Sequence, residues 1–152
     1  MVKESYSSQE TLLWAKEFGE KAKQGEIYCL TGDLGVGKTL FCQGFIQGLG
    51  VEEIVNSPTF TIVQVYQGKK FPVFHFDVYR IHSDEEMFDL GYEEYFFGEG
   101  ICLIEWAEQI FDVLPDSCVW ISINKEESKG DFYRKITIET HSEKRNQRKG
   151  EE

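Results

Sequence analysis

The stretch Gly32-Asp33-Leu34-Gly35-Val36-Gly37-Lys38-Thr39 constrains this chain more than any other. It fits the phosphate-loop pattern G-x-x-x-x-G-K-[ST], which carries meaning only between a strand and a helix. Upstream, Ile27 to Thr31 is a short apolar, β-rich run that reads as a buried strand. Downstream, Leu40 to Leu49 sets apolar residues at helical spacing, with Gly50 as the stop. Gly32, Gly35 and Gly37 let successive backbone N–H groups converge on phosphate oxygens. A helix beginning near Lys38 adds unpaired N–H groups and the positive end of its dipole. Lys38 supplies a point charge for β- and γ-phosphates, and the Thr39 hydroxyl is placed to ligate Mg2+. Asp33, Leu34, Gly35, Val36, Gly37, Lys38, Thr39 and Leu40 are therefore the first cofactor-binding candidates. The competing reading, a glycine-rich turn before an ordinary helix, leaves the Lys-Thr pair and the preceding strand unexplained.

The rest of the chain supplies layers for such a loop. Ser7 to Thr11 looks like a helix start, with Leu12, Ala15, Phe18 and Ala22 on one face and Gly25 closing the helix. Thr61–Tyr66 and Phe71–Asp77 are β-rich runs around the turn Gln67–Lys70, a hairpin signal that forces an antiparallel pair. Ser83 to Glu86 is a helix N-terminus whose acids complement the dipole. Ile101 to Ile104 reads as a central strand, Ala107 to Asp112 as a brief helix before Pro115, and Cys118–Ile123 and Phe132–Glu139 as the last strands. The expected fold class is α/β: one P-loop NTPase-like domain over residues 1–140, its mixed parallel and antiparallel sheet flanked by helices. Residues 141–152 read as a polar, disordered tail.

Composition narrows the function. At 152 residues the chain is long enough for a real core. Its net charge of −11 argues against gripping nucleic acid unaided, because phosphate binding needs clustered Lys and Arg, found only at Lys144–Lys149. No window has the apolar length of a membrane span and no signal-peptide pattern opens the chain, so a soluble cytoplasmic protein with no membrane partner is expected. Cys29, Cys42, Cys102 and Cys118 lack C-x-x-C spacing and read as reduced core residues. His75, His82 and His141 are scattered, and nothing suggests a zinc site.

A phosphate loop needs a carboxylate at a neighbouring strand end to hold Mg2+, directly or through water. Ile101-Cys102-Leu103-Ile104-Glu105 is an apolar run ending cleanly in an acid, and C-terminal strand ends share the edge where the loop opens. Glu105 thus faces Thr39 across a metal, unless it merely meets water. Asp77, at the end of the other such run, could orient a water or serve a switch. Arg80 could pair with Asp77 or meet phosphate, and either could equally be a surface ion-pair residue. Asn124-Lys125-Glu126-Glu127 imitates a guanine reader, but its last position is Glu and no Asp-x-x-Gly follows an upstream strand, so guanine specificity is unsupported.

Taken in order, G-D-L-G-V-G-K-T, S-P-T-F, H-F-D-V-Y-R and I-E-W-A-E closely resemble the bacterial TsaE (formerly YjeE) family, over about Ser8 to Glu139. The resemblance implies an ATPase of tRNA threonylcarbamoyladenosine biosynthesis, with ATP and Mg2+ as cofactors. It implies association with the TsaB–TsaD heterodimer, contact with tRNA only through that complex, and no transfer of the group by this chain. By the same resemblance Lys38, Asp77 and Glu105 are the catalytic candidates, and Thr39 and Glu105 hold the metal. Thr59, in Ser57-Pro58-Thr59-Phe60, contacts the nucleotide from a switch-like segment, and Trp106 is a packing or partner residue. Thr11 and Arg134 occupy positions resembling peripheral nucleotide contacts. Two other readings use the same loop: a small-molecule kinase, disfavoured by the scarcity of arginines for a lid, and a nucleotide-dependent interaction module with negligible turnover.

Overall fold

In a computed structural model of the chain, which describes residues 1–33, 35–58 and 60–151, the runs ending at Thr31, Asp77, Glu105 and Asn124 lie side by side as parallel strands. The elements are β1 (Val2–Ser5), α1 (Ser8–Lys21), β2 (Ile27–Thr31), α2 (Lys38–Gly48), β3 (Val63–Gln67), β4 (Pro72–Asp77), α3 (Asp84–Asp89), α4 (Tyr92–Phe96) and β5 (Ile101–Glu105). A 3-10 segment (Ala107–Val113), β6 (Val119–Asn124), β7 (Arg134–Thr140) and α5 (His141–Glu151) follow. The sheet runs β1-β7-β6-β2-β5-β4-β3. Its parallel centre, β6-β2-β5-β4, is bordered by antiparallel β7 and β1 on one side and by antiparallel β3 on the other. The expected α/β fold with a mixed sheet is what the chain adopts.

Side-chain alternation along each strand divides the core into two layers. Tyr28 and Leu30 of β2, Val73 of β4 and Ile101 and Leu103 of β5 face α1 and α2, packing on Phe41, Phe45 and Ile46. Cys29, Phe76, Cys102, Ile104 and Trp120 face the opposite way, against Met87, Ile110 and Phe111. This alternation decides the chemistry. Residues 73, 75 and 77 share one face of β4, and 101, 103 and 105 share one face of β5, so His75, Asp77 and Glu105 all point toward α2.

Four features depart from the reading of the sequence. The first strand, β1, was not anticipated; it pairs with β7 from Val2↔Thr137 to Ser5↔Arg134. Helix α1 ends at Lys21 with Ala22 as its cap, leaving Gly25 (φ +87°) in the turn before β2. Strand β3 begins at Val63, since Ile62 takes a left-handed conformation (φ 68°). The tail expected to be disordered is helix α5 over residues 141–151. Thr140 and Glu143 form a reciprocal cap: Glu143 N donates to Thr140 Oγ1 at 3.2 Å, and Thr140 N to Glu143 Oε2 at 3.1 Å. Buried His141 accepts from Trp120 Nε1 at 3.1 Å and stacks 4.6 Å from the Phe111 ring. Arg145 pairs with Asp116 at 2.6 Å, and Arg148 lies 4.1 Å over Phe111. These contacts hold a helix that composition alone would leave unfolded.

Candidate functional site

The loop between β2 and α2 is shaped by steric limits before any charge enters. A Cβ at Gly32 would stand 2.5 Å from the Ile123 carbonyl oxygen and 2.9 Å from Val36, pushing the loop off β6. Gly37 caps α2 with φ 108°, a left-handed conformation that side chains resist. No described side chain caps the first turn of α2, so its N–H groups stay available to an anion. Lys38 begins that helix and is buried. Its Nζ donates to the carbonyls of Gly32 and Asp33, the latter at 2.9 Å, and lies 3.8 Å from the Trp106 ring centroid. Burial pushes the Lys38 ammonium below its ordinary range, while Glu108, Glu105, Asp33 and Asp77 pull it back.

Register brings the acids to the same place. Glu105 lies level with Asp77 on β4 and with Leu30 on β2, the residue next to Thr31. Its carboxylate is 2 % exposed and engaged on both oxygens. Thr39 Oγ1 donates to Oε1 at 3.0 Å, and His75 Nε2 to Oε2 at 2.7 Å. Asp77 accepts from Ser57 Oγ at 3.3 Å and from the Tyr79 amide at 3.0 Å, tying the segment before Phe60 to the strand end. Arg80 sets its guanidinium 4.6 Å over the Phe60 ring. Trp106, immediately after Glu105, has φ 61° and ψ 34°, costing about 1–2 kcal/mol for a residue with a Cβ. That turn lays its ring over Lys38 and 4.8 Å from Tyr79.

Three cavities meet at the loop. Lys38, Thr39, Asp77, Glu105 and Trp106 line one of about 290 Å³, shared with Gly35 and Gly37. Those glycines also line a second, of about 190 Å³, with Thr11, Val36, Leu40 and Arg134. There Arg134 Nε donates to the Val36 carbonyl at 2.7 Å, and Thr11 Oγ1 lies 2.6 Å from Ser5 Oγ. Asp33 faces the third, about 500 Å³, with Thr31, Trp106, Glu108, Ser122 and Asn124. The structure thus brings Thr11, Gly35, Val36, Gly37, Lys38, Thr39, Leu40, Asp77, Glu105 and Arg134 around one loop, with Asp33 on its far side. Leu34 and Thr59 lie outside the described residues.

Two residues at this site were not singled out from the sequence. His75 was one of three scattered histidines and Cys42 an ordinary core residue, yet both adjoin Glu105. Cys42 Sγ, a ring nitrogen of His75 and a carboxylate oxygen of Glu105 lie within 4.8 Å of one another. The signals were local: Cys42 follows Thr39 by three positions on one helix face, and His75 precedes Asp77 by two on one strand face. A threonine hydroxyl and a buried carboxylate beside a lysine suit a small hard cation carrying phosphates.

Comparison with known proteins bears on what the loop serves. A family model described as "Threonylcarbamoyl adenosine biosynthesis protein TsaE" matches residues 5–136. A Bacillus subtilis protein named tRNA threonylcarbamoyladenosine biosynthesis protein TsaE is 47% identical over 130 residues, covering 86% of this chain and 79% of that protein. A Treponema pallidum protein of the same name is 40% identical over 134 residues, covering 88% and 96%. The crystal structure of Bacillus subtilis YdiB superposes with a TM-score of 0.78 at 39% identity, covering 92% of this chain and 84% of that one.

Proposed function

This chain belongs to the TsaE family of tRNA threonylcarbamoyladenosine biosynthesis proteins, and from that premise we propose that it is an ATP hydrolase supporting the modification. The modified base is the adenosine beside the anticodon in tRNAs that read codons starting with A. The chain acts in the cytoplasm on the TsaB–TsaD complex and does not itself transfer the threonylcarbamoyl group; tRNA is reached only through that complex. A net charge of −11 suits docking on proteins better than holding tRNA.

The observation that carries the reading is the 3.0 Å bond between Thr39 and Glu105 beside buried Lys38. Lys38 exchanges its bonds to the Gly32 and Asp33 carbonyls for β- and γ-phosphate oxygens. Thr39 and Glu105 would hold Mg2+, which when bound neutralises charge on the transferring phosphoryl group. His75 fixes the carboxylate that Thr39 addresses. Asp77, bonded to Ser57, either orients the attacking water or locks the segment carrying Thr59. Thr11 and Arg134 border the cavity on the outer side of the loop, where the base would lie. Phosphate release by the chain alone, then with TsaB, TsaD and tRNA, tests the reading. Stimulated release is expected, and Lys38→Ala and Glu105→Ala each abolish it. Phosphate appearing on a metabolite would instead make the chain a kinase, and tight binding without stimulated release an interaction module.

A further inference from the structure

Cys42, His75 and Glu105 come from three elements, α2, β4 and β5, and all three are buried. A thiol, an imidazole and a carboxylate form a donor set matched to a borderline-soft divalent ion, whereas Mg2+ prefers oxygen alone. We propose that Cys42, His75 and Glu105 form a zinc(II) site that competes with the magnesium role of Glu105. The competition rests on the ATPase reading above; the metal site does not.

The three donor atoms lie close enough together to reach one ion. Zinc bonds of about 2.0–2.3 Å put neighbouring donors roughly 3.2–3.6 Å apart, and these donors already lie within 4.8 Å. The His75–Glu105 contact of 2.7 Å then needs to open by roughly half an ångström. The 290 Å³ cavity reaches Glu105 and is not lined by Cys42 or His75, so Glu105 is the ligand from whose side water or a phosphate oxygen would approach the ion. His75 Nδ1 is buried with no partner among the described residues, and the ring's one polar engagement is toward this cluster. On binding, the Cys42 thiol loses its proton to solvent and its sulfur bonds the metal. The His75 proton moves to Nδ1, freeing the Nε2 lone pair, and Glu105 stays ionised; one proton is released per ion. The occupied site draws the Glu105 carboxylate away from Thr39.

Cobalt(II) titration of the full chain reads the site directly. A thiolate-to-cobalt charge-transfer band in the near ultraviolet is expected in the wild type, bleached by added zinc and lost in both Cys42→Ser and Cys42→Ala. The other thiols, Cys29, Cys102 and Cys118, sit on the opposite face of the sheet and are unaffected by these changes. No band, or a band that survives in both variants, overturns the site. In the second arm, zinc inhibits partner-stimulated hydrolysis in excess Mg2+, and the Cys42 variants, each measured against its own zinc-free rate, require at least about tenfold more zinc. Equal inhibition of all three proteins overturns the competition. If the chain hydrolyses nothing, the ATPase reading has failed, and the cobalt titration still decides the site.

Discussion

Replacing Gly19 by Ala is the sharpest available test of how α2, and with it Lys38 and Thr39, is held in place. Helices α1 and α2 meet along small residues. A Cβ at Gly19 would stand 2.0 Å from the Phe45 carbonyl oxygen, one at Gly48 2.2 Å from that of Lys16, and one at Gly44 2.6 Å from that of Leu12. Each obstacle is backbone, which cannot rotate aside, so the helices must part by roughly an ångström in a close-packed core. Overpacking of this kind costs about 1–3 kcal/mol beyond any gain, since alanine's advantage of about 1 kcal/mol over glycine within a helix offsets part of the strain. At about 2–4 °C per kcal/mol for a chain of this size, Gly19→Ala should lower Tm by roughly 2–12 °C. Gly150→Ala is the control: it lies in α5 with nothing within 4 Å of the new Cβ. Only propensity acts there, and next to the helix end it is smaller than in the interior, so no loss and a gain of at most about 0.5 kcal/mol are expected. Thermal unfolding followed by circular dichroism measures both. A Gly19→Ala protein as stable as the wild type would refute the reasoning, because the propensity gain would then be unopposed.

Two further outcomes follow from the site and the C-terminal helix. Thr39→Ala removes the hydroxyl that bonds Glu105, so nucleotide binding should lose much of its Mg2+ dependence in a calorimetric titration; unchanged dependence would remove Thr39 from the metal role. His141 is held below its ordinary value by burial and then by Arg145, with Asp116 opposing, and its Nδ1 accepts from Trp120 only when unprotonated. The sign follows directly: a histidine with a lowered folded-state pKa stabilises above its unfolded value of about 6.5, and that contribution fades as pH falls below it. Tm and Trp120 fluorescence should both drop below about pH 6.5, in His141→Phe by less than in the wild type. Lys144 and Arg148, over the Trp120 and Phe111 rings, add positive charge to the same place and do not titrate there. A wild-type profile as flat as that of the variant would refute the role of His141.

The loop was legible because its meaning depends on neighbours in the chain: a strand before, a helix after, Lys-Thr at fixed offsets. Glu105 was legible as an apolar run ending in an acid, and the β3–β4 hairpin by its glycine turn. What escaped depended on partners distant in sequence. The His75–Glu105 bond requires knowing that β4 lies beside β5 with Asp77 level with Glu105, a register that no local pattern supplies. Cys42 joins them only once α2 covers that face. Four-residue β1 exists through pairing with β7 at the far end of the chain. Helix α5 is a different kind of miss: the tail was read from its charged composition alone, while Thr140-His141-Ser142-Glu143 carries a local capping signature. The left-handed turn at Trp106, on a residue type that avoids it, had no local signal at all.

The resting partners of Lys38 make the loop its own competitor. Two tethered carbonyls, at the high effective concentration that attachment confers, already satisfy the ammonium beneath Trp106. Any incoming anion must outbid them. Both bonds are already charge-assisted on the lysine side, so an incoming oxygen improves on a carbonyl only through its own negative charge, and the exchange favours an anion over a neutral ligand. An anion that sets two oxygens against the ammonium replaces both carbonyls at once, whereas one that sets a single oxygen there leaves a carbonyl in place. What the loop accepts among anions then comes from what the lysine must give up as much as from what it gains.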